Sequence, residues 1–293
     1  MTRANQVLAF LPYHLLYVAS RFTSRSNVLQ AFQEYILIEP IANGGVQIHS
    51  TDGLRACRIT VNSRIWVCKK QVLINRKVFP RPVQSLRVVS ICGSSAAQVL
   101  SGHVSKLQLI RPISPEMILM KSNIYPNMDP VWPQSISDYT NTVSFNGAYL
   151  LDFLEKVKEL ADEAVKGLRL AGDSEELTDE EVKKLELLAA GVVNVQTRQD
   201  NGSLKLIFTA YNGEKLDILL ETPIHYEEIS FNGAYLLDFL KLVKRYSSGL
   251  VTMTIIRTSQ KKSGQFLFTA EIQQGFLESV IIEYLLMPIV IVR

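Results

Sequence analysis

The sequence predicts an α+β protein made of two similar domains, on three observations. Its 293 residues suit about two ordinary domains. The stretch SFNGAYLLDFL occurs twice, beginning at Ser144 and again at Ser230, with little else repeated verbatim. An identity of that length means either that one structural unit is used twice or that one function needs two equivalent surfaces. Around both copies, short apolar or alternating runs bounded by turn residues read as antiparallel strands. At 47% hydrophobic and 20% charged residues the chain is an ordinary globular protein, which excludes the disordered class.

The elements follow in order. A buried helix is expected from about Ala4 to Ser20. A signal peptide is the competing reading of VLAFLPYHLLYVAS, but Pro12 and His14 interrupt it and no small-residue cleavage site follows. YILIEPI and GVQIHS read as strands, and TDG supplies turn chemistry before the strand LRACRITV, giving a hairpin centred on Asp52 and Gly53. Pro80 and Pro82 limit any helix in NRKVFPRPVQSL to a turn or two. RVVSIC, KLQLI and EMILMK are further strands. The proline-rich YPNMDPVWPQ is the linker candidate, dividing the chain into domains 1–133 and 134–293.

The second domain opens with the first eleven-residue copy as a helix. An acidic, helix-prone interruption near 159–190 follows, with Thr178 and Glu181 in capping-box spacing. GVVNVQTR, SLKLIFTA and KLDILLE are strands, YNG making the turn between the last two. The second copy is again a helix, followed by the strands GLVTMTIIR and QFLFTAEI. The closing SVIIEYLLMPIVIVR is broken by Glu283 and Pro288 and falls short of the ~20 residues that span a bilayer, so it reads as terminal strand and no membrane partner is expected.

On a helical wheel Leu236, Leu240 and Val243 form one apolar stripe, with Asp238, Lys241 and Arg245 opposite. In the first copy Leu150, Leu154 and Val157 form the same stripe, and Asp152, Glu155, Lys156 and Glu159 make a more acidic outer face. The repeat thus preserves the packing side, and each continuation decides the exposed side.

The net charge of +3 hides a split: residues 1–140 carry +9 and the remainder −6. No acidic residue lies between Asp52 and Glu116, while eleven Lys and Arg do. So one-sided a stretch points to a polyanion, nucleic acid above all, over a merely solvated basic face. Cys57, Cys68 and Cys92 are scattered, which gives no disulfide framework and no zinc site and fits a reducing cytoplasm. His14, His49, His103 and His225 are isolated, and no phosphate-cradling glycine loop is visible. No catalytic residue, metal or cofactor is expected.

Five segments in order resemble the DNA polymerase sliding clamps, in particular the beta subunit of bacterial DNA polymerase III. STDGLRACRIT is similar to that family's Thr-Asp-Gly hairpin, and VLINRKVFPRPVQSL to its following strand and Arg-Lys helix. IYPNMDPVWP is similar to its Phe-Pro-Asp segment, EISFNGAYLLDFLKLVK to the Phe-Asn-x-x-Tyr-x-x-Asp helix of its last domain, and YLLMPIVIV to its Met-Pro C-terminus. The resemblance covers about residues 30 to 293 and matches the family's second and third domains. It implies the DNA-clamp fold, in which each domain sets antiparallel sheets behind two helices on an inner face. It also implies a homotrimeric ring that encircles duplex DNA without sequence specificity and tethers DNA polymerase and clamp loader through short peptide motifs.

The implied DNA-facing residues are Arg21, Arg25, Arg76, Lys77, Arg81, Lys241, Lys244 and Arg245. The implied peptide pocket joins Thr51, Gly53, Leu54, Arg55 and Pro133 to Leu285, Met287, Pro288 and Ile289. Leu54 stands where the family often has histidine. The bland reading makes Leu285, Met287 and Ile289 plain strand core. Pro80 and Pro82 in an expected inner helix, the acidic interruption, and the acidic outer face of the first repeat depart from the family pattern. They keep open a monomeric polymerase or transcription accessory factor of the same fold.

Overall fold

A computed structural model describes residues 7–24, 31–42, 44–63, 65–78, 87–92, 96–101, 108–113, 118–119, 125–132, 142–171, 178–200, 203–211, 213–220, 228–256, 265–272 and 279–289. The chain divides into two compact units, Met1–Val131 with Glu271–Tyr284, and Trp132–Ala270 with Leu285–Arg293.

In the first unit the chain enters as strand β1 (Val7–Pro12) and continues as helix α1 (Tyr13–Ser20). The expected single helix over this stretch is therefore corrected. Pro12 has no N–H for a helical bond and suits the N-cap position it occupies, with extended backbone. The residues before it pair instead with β5 (Val67–Cys68) and β7 (Arg87–Cys92). Strands β2 (Tyr35–Pro40), β3 (Val46–Thr51) and β4 (Arg55–Asn62) form a meander with β6 (Val72–Asn75), and the hairpin at Asp52 and Gly53 joins β3 to β4 as expected. The Arg-Lys segment begins as a 3-10 turn, Arg76–Val78, and 79–86 lies outside the described residues.

Strands β8 (Ala96–Ser101) and β9 (Gln108–Ile113) extend the first sheet, in the order β5-β1-β7-β8-β9. The second sheet of this unit runs β10-β6-β2-β3-β4-β18, with β10 at Ile118–Leu119 and β18 at Ser279–Leu286. Leu15, Leu16 and Val18 of α1 are buried, as are Ile36, Ile38, Ile48 and Ile59 of the second sheet.

The second unit answers why the eleven residues are written twice. Each copy is a strand, a cap and a helix rather than a helix throughout. Strand β11 (Thr142–Asn146) runs into helix α2 (Gly147–Ala171), and β15 (Ile229–Asn232) runs into α4 (Gly233–Tyr246). Asn146 and Asn232 accept through Oδ1 from the backbone N–H of Ala148 and Ala234, both at 2.9 Å, so the conserved spacing is that of an asparagine N-cap. The helices begin with glycine because the backbone arrives close to another strand entry. The Gly147 N–H bonds the Gly249 carbonyl at 2.7 Å, and the Gly233 N–H bonds the Gly191 carbonyl at 2.9 Å. A side chain at either glycine would meet heavy atoms at 2.8 or 3.0 Å.

The partners exchange. β11 pairs with β16 (Leu250–Ile256), which follows α4, and β15 pairs with β12 (Val192–Asp200), which follows the first helical region. Phe145 thus faces Val251 as Phe231 faces Val193. The two copies are halves of one pseudo-symmetric unit. α2 and α4 pack on each other, and the sheets behind them run β14-β13-β12-β15 and β17-β16-β11. Here β13 is Ser203–Ala210, β14 is Lys215–Leu220 and β17 is Gln265–Ile272. Phe145, Phe208, Phe231 and Phe266 meet edge to face in sequence through the core, with centroids 5.1–6.4 Å apart.

The acidic interruption is the far end of a 25-residue α2 followed by α3 (Asp179–Ala189). Thr178 and Glu181 form the capping box that their spacing predicts.

Candidate functional site

The Thr-Asp-Gly hairpin is a self-bonded turn. The Thr51 hydroxyl donates to the Arg55 carbonyl at 2.8 Å and accepts from the Gly53 N–H at 3.0 Å. Asp52 Oδ1 accepts from the N–H groups of Leu54 and Arg55, both at 3.1 Å, and Gln33 Nε2 donates to the Asp52 carbonyl at 3.1 Å. Gly53 sits at φ +93°, a conformation that excludes most side chains, and a Cβ there would also lie 2.7 Å from Gln33 Nε2.

The effect is to hold Leu54 outward, 53% exposed, while Thr51 and Arg55 point in. Arg55 donates through Nε to Asp52 Oδ2 at 2.8 Å and lies 5.6 Å from the Phe22 ring centroid. Burial works against its charge, but Tyr284 and Asp52 outweigh that and hold the guanidinium above its ordinary range. Arg55 is a brace for the turn, and Leu54 is what the turn presents.

In the second unit Leu285 is 1% exposed, Met287 is 37% exposed, and Pro288 and Ile289 are half-buried. The Ile289 N–H bonds the Ser230 carbonyl at 2.8 Å, and Gln265 Nε2 lies 3.4 Å from Met287 Sδ. The strip is thus tied down just after the exposed methionine. Pro133 lies outside the described residues.

Of the basic candidates, Arg25 and Arg81 lie outside the described residues. Arg21 and Arg76 are half-buried, and Lys77 is exposed, 3.7 Å from Glu34. Lys241, Lys244 and Arg245 are exposed together on α4. Lys244 and Arg245 fill the last turn, where they also complement the helix dipole. Sequence reasoning missed the partner of Lys241: Glu155 of α2 lies 3.2 Å from its ammonium. The signal was available, since both residues fall opposite the apolar stripes of two helices expected together on one inner face.

His14 and His49 are not surface bases. Burial lowers the pKa of His14 to about 4. His49 is buried against Glu39, 2.9 Å away. Burial raises Cys68 to about 11 and pushes Cys57 up further, so neither is a thiolate nucleophile. Among the described residues, no helix is long and apolar enough to cross a membrane.

The fold matches that of solved sliding clamps over the whole chain. The beta subunit from DNA polymerase of Streptococcus pyogenes superposes on 99% of this chain and 66% of its own, with TM-score 0.58 and 15% identity. The Helicobacter pylori beta clamp, solved in complex with carprofen, matches 99% of this chain and 69% of its own at TM-score 0.58 and 10% identity. The DNA polymerase sliding clamp from Bacillus subtilis matches 100% and 66% at TM-score 0.56 and 15% identity. This chain therefore has the sliding-clamp fold and spans about two thirds of the length of these proteins. No protein-family model matches the sequence, and no curated protein matches it.

Proposed function

We propose that the chain is a DNA sliding clamp: a cytoplasmic, non-catalytic homotrimer that encircles duplex DNA and tethers a DNA polymerase for processive replication. The observation that carries this reading is the match to the clamp fold over nearly the whole chain, on a sequence whose own segments resemble clamps in the same order. The domain division at 133/134 then gives two clamp domains per chain, and three chains give six.

Edge strands support assembly. Among the described residues β9 and β14 each have a neighbour on one side only, and β14 carries Leu219, 69% exposed. Pairing such edges between copies removes them from solvent. Lys241, Lys244 and Arg245 are the DNA-facing residues of the second unit, with Arg21, Arg25, Arg76, Lys77 and Arg81 those of the first. They act on phosphates without reading bases. Polymerase and clamp loader dock short peptides on Leu54, Met287, Pro288 and Ile289, with Thr51, Gly53, Arg55, Pro133 and Leu285 supporting that surface.

One observation favours a second reading. Glu155 pairs with Lys241 and α2 is acidic on its outer face, which weakens the attraction that a DNA channel needs. A monomeric polymerase or transcription accessory factor would tolerate this. Light scattering at micromolar concentration separates the two, a trimer of 33.0 kDa chains weighing about 100 kDa. A monomer at every concentration refutes the ring.

A further inference from the structure

The pseudo-symmetry of the second unit builds two equivalent junctions. At one, α2 begins where α4 hands over to β16; at the other, α4 begins where α3 hands over to β12. A Cβ at Gly147 would meet Val251, Gly249 and Leu240, and one at Gly233 would meet their counterparts Val193, Gly191 and Leu154. Leu250 therefore corresponds to Val192, Tyr149 to Tyr235 and Tyr246 to Leu160.

The two junctions are covered differently. Val192 is 3% exposed. Leu160 of α2, Leu188 of α3 and Tyr211 close around it and leave a cleft of about 10 Å³, the room of one water. The cover exists because α2 runs on past Leu160 to Ala171 and α3 packs back along it. α4 stops at Tyr246, and Ser247 to Gly249 lead straight into β16. Leu250 is left 57% exposed and Tyr149, on the first turn of α2, 63% exposed, whereas Tyr235 is half-buried. An apolar position that one half of the unit seals with a helix-borne leucine is open in the other.

The charge beside the open junction indicates what would seal it. Lys244 and Arg245 are exposed in the last turn of α4. The Arg245 guanidinium lies 5.3 Å from the Tyr246 ring centroid, which holds its charge next to the junction. Across from them Asp152 is the one acidic residue in the first two turns of α2. At the corresponding places on α2 stand Lys158 and Glu159, one of each sign, and α3, DEEVKKLELLA, carries both signs as well. The complement of two cations beside an exposed leucine is a helix with leucines on one face and carboxylates flanking them. We propose that the Tyr149–Leu250 junction docks an acidic amphipathic helix of a partner protein, which takes the place that α3 takes at Val192.

The test uses the full-length chain without DNA, since Lys244 and Arg245 are also the proposed phosphate contacts; its outcome is thus independent of the clamp function. The probes are labelled peptides of residues 178–190, each held helical by a staple on its polar face. The acidic probe carries Lys183→Gln and Lys184→Gln. One control adds Glu180→Gln, Glu181→Gln and Glu186→Gln to it, and the other adds Leu185→Ser and Leu188→Ser. The acidic probe should bind with a dissociation constant of about a millimolar or tighter and shift the Leu250 methyl resonances saturably. Loss of the carboxylates, or Lys244→Gln with Arg245→Gln in the protein, should weaken binding about threefold or more by anisotropy. The serine peptide, or Leu250→Ser in the protein, should weaken it about fivefold or more. No saturable shift at Leu250 up to about 10 mM probe, or equal affinity for either control peptide, overturns the proposal. Leu250 shifts that follow protein concentration with a rising mass, and no response to the peptide, assign the surface to a second copy and overturn it too.

Discussion

Leu54 and Met287 are the two residues on which the docking proposal can be tested without unfolding the protein. Each is an exposed apolar side chain on a segment held by a backbone hydrogen bond, at Leu54 itself and at Ile289. Fully burying a leucine or methionine is worth about 1.5–3 kcal/mol. Met287 retains 37% of its surface in the free chain, so a peptide that covers it gains about 0.6–1.1 kcal/mol there, or roughly three- to sixfold in affinity. Leu54 retains 53%, which gives about 0.8–1.6 kcal/mol, or roughly four- to fifteenfold. If one peptide touches both, the losses in Leu54→Ala/Met287→Ala add to about 1.4–2.7 kcal/mol, at least tenfold. Stability should fall by less than about 1 kcal/mol for Leu54→Ala, because the removed atoms are half in water already.

Leu285→Ala is the contrast. At 1% exposure it is core, and its truncation should cost about 2–5 kcal/mol. The assay pairs fluorescence anisotropy of a labelled polymerase peptide with urea denaturation of each variant. Full peptide affinity in the double variant refutes the docking surface. Loss from one residue only, with the other silent, shows that the two do not share a ligand.

Further expectations follow from individual contacts. Arg58 grips Glu283 through two bonds of 2.5 and 2.6 Å, with both side chains largely buried. Glu283→Gln should therefore cost about 3 kcal/mol in urea melts, and Arg58→Met with Glu283→Leu should recover most of it. Burial holds the His14 pKa at about 4, below the 6.5 of an ordinary imidazole. Between these pH values the unfolded chain holds the extra proton, so stability rises with pH across that window by up to about 3 kcal/mol and is flat above it. Melts of His14→Gln should lose that slope. Gly53→Ala should cost more than about 1 kcal/mol, from its positive φ and the clash with Gln33, and should lower peptide affinity as well. Lys244→Glu with Arg245→Glu should cut processive synthesis on circular DNA while leaving the oligomeric mass unchanged, and unaffected synthesis would remove α4 from the DNA path.

What was legible in the sequence followed local chemistry. The Asp52-Gly53 hairpin and the Thr178 capping box are written in side chains that bond their own neighbouring backbone, and both formed as read. The eleven-residue repeat was visible, but its first residues were read as helix because the apolar stripe of the later ones was extended backwards. Asn146 and Asn232 were the missed signals, since an asparagine before a helical stripe is a cap, and what precedes a cap is not helix. β1 was lost to the same extension across Pro12. β8 was missed because AAQVLS carries neither strict alternation nor a bulky apolar run; its place comes from pairing with β7 and β9, a tertiary fact.

The candidate site divides likewise. That Leu54 points out while Arg55 turns in under Phe22 depends on Asp52 accepting from both backbone amides, and Thr-Asp-Gly does carry that information. That Glu155 reaches Lys241 depends on α2 and α4 lying side by side, which the two wheels show only once the repeats are known to be halves of one unit. The repeat therefore does more than duplicate a core helix. It places an acidic and a basic outer face next to each other, so the charge on that surface is set by the continuations Glu155–Glu159 and Lys241–Arg245 rather than by the shared eleven residues. Selection on DNA contact would act on those continuations, while the shared residues answer to the cap, the glycine approach and the packing stripe.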